Sequence, residues 1–119
     1  MPKLEYVITG LEDGPIDSRP EFGYDEKAVI DNRNRILNPR GIESNLVRMA
    51  ANHGTDSLII TEENLTEWSG RIYSERPSVD GLTTNVPDLA LECDPADCGV
   101  YILFSKEYRI LSVAHAGRE

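Results

Sequence analysis

His53, Cys98 and His115 are the residues of this chain best suited to chemistry. They are two imidazoles and a thiol, in the strings Asn52-His53-Gly54-Thr55-Asp56, Ala96-Asp97-Cys98 and Ala114-His115-Ala116-Gly117. A catalytic zinc takes three protein ligands and leaves its fourth position to water or substrate, whereas a structural zinc is closed by four. Thiolate sulfur with imidazole nitrogen suits zinc or copper and disfavours magnesium and calcium, which prefer oxygen. Ligand count and donor type together predict an open zinc or copper site. Two other readings use the same atoms. Isolated His and Cys also serve as buried packing residues. Without metal, Cys98 is a nucleophile and His115 its base, the dyad of cysteine hydrolases. Chelation separates the two enzyme readings, because it abolishes the first and spares the second.

These groups need elements to hold them, and 119 residues are enough for one domain with a modest core. Apolar residues at 39% and charged residues at 28% are ordinary for a folded domain. No apolar run approaches the roughly 18 residues that span a bilayer, and Met1-Pro2-Lys3-Leu4-Glu5 begins no signal peptide. The cytoplasm is the expected location. A net charge of -9 repels phosphate backbones and anionic membranes, so neither nucleic acid nor membrane is expected as a partner. Of the two cysteines, Cys93 reads as a packing thiol, and the pair is expected to stay reduced.

Leu4 to Thr9 alternates as a first strand, followed by a Gly- and Pro-bearing loop through Pro20. Asp25 is placed to cap a helix over Glu26 to Leu37, which Asn38-Pro39 ends; Val29, Ile36 and Leu37 form its thin apolar stripe. Asn45 to Met49 suits a short strand or a helical turn. Ser57 to Thr61 reads as a strand, Glu62 to Trp68 as one or two helical turns, and Ser69 to Ser78 as loop. Leu82-Thr83-Thr84 and Leu89 to Cys93 flank a turn. Val100 to Phe104 is a continuous apolar run, which predicts a strand covered on both faces, and Arg109 to Ala114 returns beside it as a hairpin. Alternation places His115 on the face of Leu111 and Val113, toward the core.

Taken in order, His53-Gly54-Thr55-Asp56, Asp80-Gly81-Leu82-Thr83-Thr84-Asn85-Val86-Pro87, Ala96-Asp97-Cys98 and His115-Ala116-Gly117 resemble the successive signatures of the YfiH-like laccase-domain proteins. These proteins are often labelled multicopper polyphenol oxidases and are regarded as purine nucleoside phosphorylases. Upstream, Gly23 to Arg33 resembles the family's Gly-Asp-Asp, Ala-Val and Asn-Arg segment, so the likeness runs from about Glu21 to Gly117.

The resemblance implies a single domain over 1–119 of α/β (α+β) class. It would be a compact sandwich of mixed sheet with flanking helices, related to cysteine hydrolases of the deamidating toxin type and lacking the family's C-terminal portion. It implies His53, Cys98 and His115 as metal ligands. The implied activity is zinc-dependent phosphorolysis of adenosine, inosine, guanosine and methylthioadenosine, together with adenosine deamination. Three features depart from the family: Gly99-Val100-Tyr101 replaces a bulkier run after Cys98, Arg118 follows Gly117 with no intervening Trp, and relatives continue well past Glu119.

For deamination, Asp97 is the nearest carboxylate to shuttle a proton, while Arg48 and Arg118 stand beside the ligand strings to steer phosphate. Each has a plainer role: Asp97 in a turn, Arg118 as a penultimate residue, Arg48 in a surface ion pair. A metal-binding but inactive subunit is the non-enzymatic alternative. Its exposed sheet edge would favour a homo-oligomer or a second chain completing the fold.

Overall fold

A computed structural model describes residues 4–6, 8, 26–40, 46–71, 75–94 and 99–116. Asp97, Cys98 and Arg118 lie outside these residues. The chain divides into two compact units, one of Glu5–Ser44 and one of Met1–Leu4 with Asn45–Glu119. Of the strand expected over Leu4 to Thr9, the described part, Leu4 to Tyr6 and Ile8, has no regular structure.

In the smaller unit, helix α1 spans Glu26–Leu37 and passes into a 3₁₀ turn over Asn38–Arg40. Pro39 has no N–H and disfavours helical backbone at the residue before it, which accounts for the stop. Arg35 in the last turn complements the helix dipole. The buried stripe is Val29, Arg33 and Ile36, so an arginine takes a place in what reads as an apolar seam.

The larger unit holds two sheets. Strand β1, Leu46–Arg48, pairs in parallel with β4, Ala90–Glu92. The second sheet has the order β2-β3-β6-β5, with β2 at Ser57–Ile60, β3 at Gly81–Thr84, β5 at Gly99–Ser105 and β6 at Ile110–Ala116. β2 and β3 run parallel, and the crossover between them contains the short helix α2, Leu65–Trp68. β6 lies between β3 and β5 and runs antiparallel to both. This mixed α+β architecture packs one core from Val47, Met49, Ile60, Leu82, Leu89 and Val113, with Leu65, Trp68 and Cys93 half-buried against it. Thr84 enters the core because its hydroxyl donates to the Ile60 carbonyl at 2.9 Å and accepts the Val86 N–H at 3.0 Å.

The hairpin of β5 and β6 forms as its pattern predicts, but β5 is not covered on both faces. It is the last strand of its sheet among the described residues, and Tyr101 and Leu103 are 61% and 64% exposed. Val100 and Ile102 on the opposite face are also exposed. A continuous apolar run registers that both faces of a strand avoid water, but not which polypeptide covers them.

Candidate functional site

His53 and His115 come from distant parts of the chain. His115 sits near the end of β6, buried beside Val113 on the core side, as alternation predicts. His53 lies in the loop from β1 to β2 with φ of 61°, a left-handed conformation unusual for a residue with a side chain. Their rings meet edge to face, with centroids 5.4 Å apart and planes at 81°.

Asp80, immediately before β3, holds both histidines, a role that its place before a glycine does not reveal in the sequence. Its Oδ1 accepts the His53 N–H at 3.1 Å and lies 2.9 Å from His115 Nδ1. Its Oδ2 accepts the N–H of Gly54 at 2.8 Å and of Asn52 at 3.2 Å. The backbone closes the same loop: His115 N–H donates to the Asp80 carbonyl at 2.7 Å, and Asp80 N–H donates to the Asp56 carbonyl at 2.9 Å. Asn52 Oδ1 accepts the Gly54 N–H at 3.0 Å, and its Nδ2 donates to Ser78 Oγ at 3.0 Å. A Cβ at position 54 would stand 2.7 Å from Asn52 Oδ1, so a larger residue there would displace the Asn52 side chain from its bond to the residue-54 N–H.

Burial alone pushes the Asp80 carboxyl up. The Gly54 N–H, the His115 ring and the N–H groups of Asn52 and His53 outweigh it and hold Asp80 below its ordinary value. An ionised carboxylate only accepts, so the proton of the shared hydrogen bond belongs to His115 Nδ1. On a neutral ring, Nε2 then keeps its lone pair. A carboxylate behind one imidazole nitrogen, with the other nitrogen left basic, is the usual outer support of a metal-bound histidine.

Two imidazoles bound at about 2.0–2.1 Å to one tetrahedral ion have ring centroids roughly 5 Å apart. The observed 5.4 Å fits that arrangement, and sulfur with imidazole donors suits zinc. Among the described residues no cluster of three His, Cys, Asp or Glu stands at ligand spacing; the expected third ligand, Cys98, lies outside them. Gly99, the residue after it, pairs with Ala116, the residue after His115, so β5 begins beside the end of β6 that carries the histidine.

Arg48 is not in a surface ion pair. Its side chain is fully buried, with Nε 2.9 Å from Glu92 Oε2 and 2.5 Å from Asp94 Oδ2. The register of β1 and β4 sets Arg48 directly opposite Glu92. Burial and the Glu92 charge raise the Asp94 carboxyl against the opposing pull of Arg48, to about 7. The ordinary value is 3.8, so between these limits the folded chain holds a proton that the unfolded chain has lost. This contribution to stability is fully present below the lower value and is lost as pH rises to the upper one. Asp94→Asn is expected to flatten that decline, measured by urea unfolding at about pH 5 and about pH 8. An unchanged decline in the variant assigns the titration to another group. An open hollow lined by Thr61, Glu62, Glu63 and Asn85 contains none of these residues.

The fold is similar to part of two solved bacterial proteins. With YlmD from Geobacillus stearothermophilus the TM-score is 0.66 at 24% identity, covering 86% of this chain and 38% of that one. With the hypothetical protein YfiH of Bacillus licheniformis it is 0.62 at 22% identity, covering 78% and 35%. The chain thus spans little more than a third of the length of either protein. Comparison with curated proteins gave no match. The family described as multi-copper polyphenol oxidoreductase laccase matches residues 16–119. The chain belongs to this YfiH-like laccase-domain family. Among the described residues no helix is long and apolar enough to cross a membrane.

Proposed function

We propose that this chain carries the zinc site of a purine nucleoside phosphorylase that also deaminates adenosine, with His53, Cys98 and His115 as ligands. The observation that carries the reading is the edge-to-face approach of His53 and His115 at 5.4 Å, with His115 Nδ1 turned to a buried carboxylate. Bound there, zinc supplies Lewis acidity and lowers the pKa of a water that it coordinates. Copper suits the same donors.

In phosphorolysis a phosphate oxygen bonds to C1′ of the ribose while the bond from C1′ to the purine breaks. The purine leaves with the electron pair and is protonated. Positioning of phosphate against C1′ falls to Arg118 in this reading, since Arg48 is held by Glu92 and Asp94. In deamination, water replaces the amino group at C6, and Asp97 carries the proton to the departing ammonia. The deciding experiment is product analysis with adenosine and phosphate, with and without chelator. Chelator-sensitive adenine supports phosphorolysis, and chelator-sensitive inosine supports deamination. Turnover that survives chelation supports the Cys98–His115 hydrolase instead, and no product supports an inactive metal-binding subunit.

An interaction role has an observation of its own in the exposed apolar strand β5. Its occupant in this second reading is another copy of the chain. Antiparallel pairing of β5 with itself is self-complementary about a two-fold axis. Gly99–Ser105 contains no charge in a chain of net charge -9, so like-charged copies meet there with least repulsion. Leu103→Lys is expected to convert a dimer to a monomer in size-exclusion chromatography. A wild-type chain that is monomeric at every concentration contradicts this reading.

A further inference from the structure

We infer that Asp80 is the positioning residue of the site, one carboxylate that sets the ring of His115 and the backbone of His53 before any ion arrives. The inference rests on the reading of these histidines as metal ligands, but the arrangement itself is independent of metal. The two carboxylate oxygens accept four hydrogen bonds, from His53 and His115 through Oδ1 and from Asn52 and Gly54 through Oδ2. Three of the donors are consecutive backbone N–H groups, which point inward together only because the chain turns through the left-handed conformation at His53. The fourth is the imidazole of the other histidine. The side chains of Asp80 and His115 are 3% and 4% exposed, so water does not compete for the bond between them.

A neutral packing residue at position 80 would not specify which nitrogen of His115 carries the proton. A carboxylate does, because it has no proton to give and places the hydrogen on Nδ1. Asparagine would keep an acceptor oxygen for part of the turn but offers a donating amide to His115, which favours the proton on Nε2, the nitrogen that must stay bare to bind metal. Glutamate keeps the charge on a longer arm and should restore part of the effect.

The test is nitrogen-15 NMR of the histidine side chains in metal-free protein, joined to zinc titration of the same samples. Wild type should show His115 with its proton on Nδ1. Asp80→Asn should move it toward Nε2 and weaken zinc binding by about 10–100-fold, and Asp80→Glu should recover part of both. A wild-type spectrum with the His115 proton on Nε2 overturns the inference, and decides the matter even if neither variant folds. An Asp80→Asn protein with the Nδ1 proton and zinc affinity unchanged also overturns it. If the Nδ1 proton is present and moves in the variant but no form takes up zinc, the positioning role stands and the metal reading fails.

Discussion

Replacing Cys98 by alanine is expected to empty the chain of metal and abolish metal-dependent turnover of adenosine, an effect of more than about 100-fold on zinc affinity. Losing an outer partner of a ligand already costs roughly 10–100-fold, and Cys98 is proposed as an inner ligand and the only sulfur donor of the set. His53 and His115 alone would leave two neutral nitrogens, with no anionic donor to offset the charge of the ion. Metal analysis of the purified protein should give about one equivalent of zinc or copper per chain in wild type and a trace in Cys98→Ala. His53→Ala and His115→Ala should behave alike. A Cys98→Ala protein that keeps stoichiometric metal removes the ligand assignment, whatever its activity.

Arg48→Met should destabilise the larger unit by about 3–5 kcal/mol without touching either histidine, the usual effect of removing one partner from a buried ion pair. Glu92 and Asp94 would keep their desolvated positions and lose the guanidinium between them, with side chains only 15% exposed. Because the two carboxylates repel and Arg48 is what pulls Asp94 down to about 7, removing it raises Asp94 further, so the loss should grow as pH rises and be smaller in acid, where the two share a proton. Urea unfolding of the metal-free protein across that range measures it. A loss below about 1 kcal/mol at every pH would mean that Arg48 behaves as a solvated surface charge.

These expectations show where sequence alone was informative. The helix at Glu26–Leu37 was legible from its end signals rather than its thin apolar stripe, with Asp25 placed to cap it and Pro39 to end it. The β5–β6 hairpin was legible from two apolar runs around a polar turn, and the inward side of His115 from alternation with Val113. The exposure of β5 was not, since a run of apolar side chains encodes the need for cover and not its source. Asp80 was hidden for another reason. An aspartate before a glycine at the start of a strand reads as a turn residue, and its four hydrogen-bond donors come from residues more than two dozen positions away in the chain. Arg48 was visible as a charge beside the His53 string, but its burial depends on the parallel register of β1 with β4, which no local pattern specifies.

The central claim is that two imidazoles and one thiolate converge on a single ion. Zinc-edge X-ray absorption of the loaded protein tests it most directly. The account predicts one sulfur at about 2.3 Å and two imidazole nitrogens at about 2.0–2.1 Å, with the sulfur shell gone in Cys98→Ala. A spectrum of nitrogen and oxygen alone in the wild-type protein, or a chain that takes up no zinc, would contradict it.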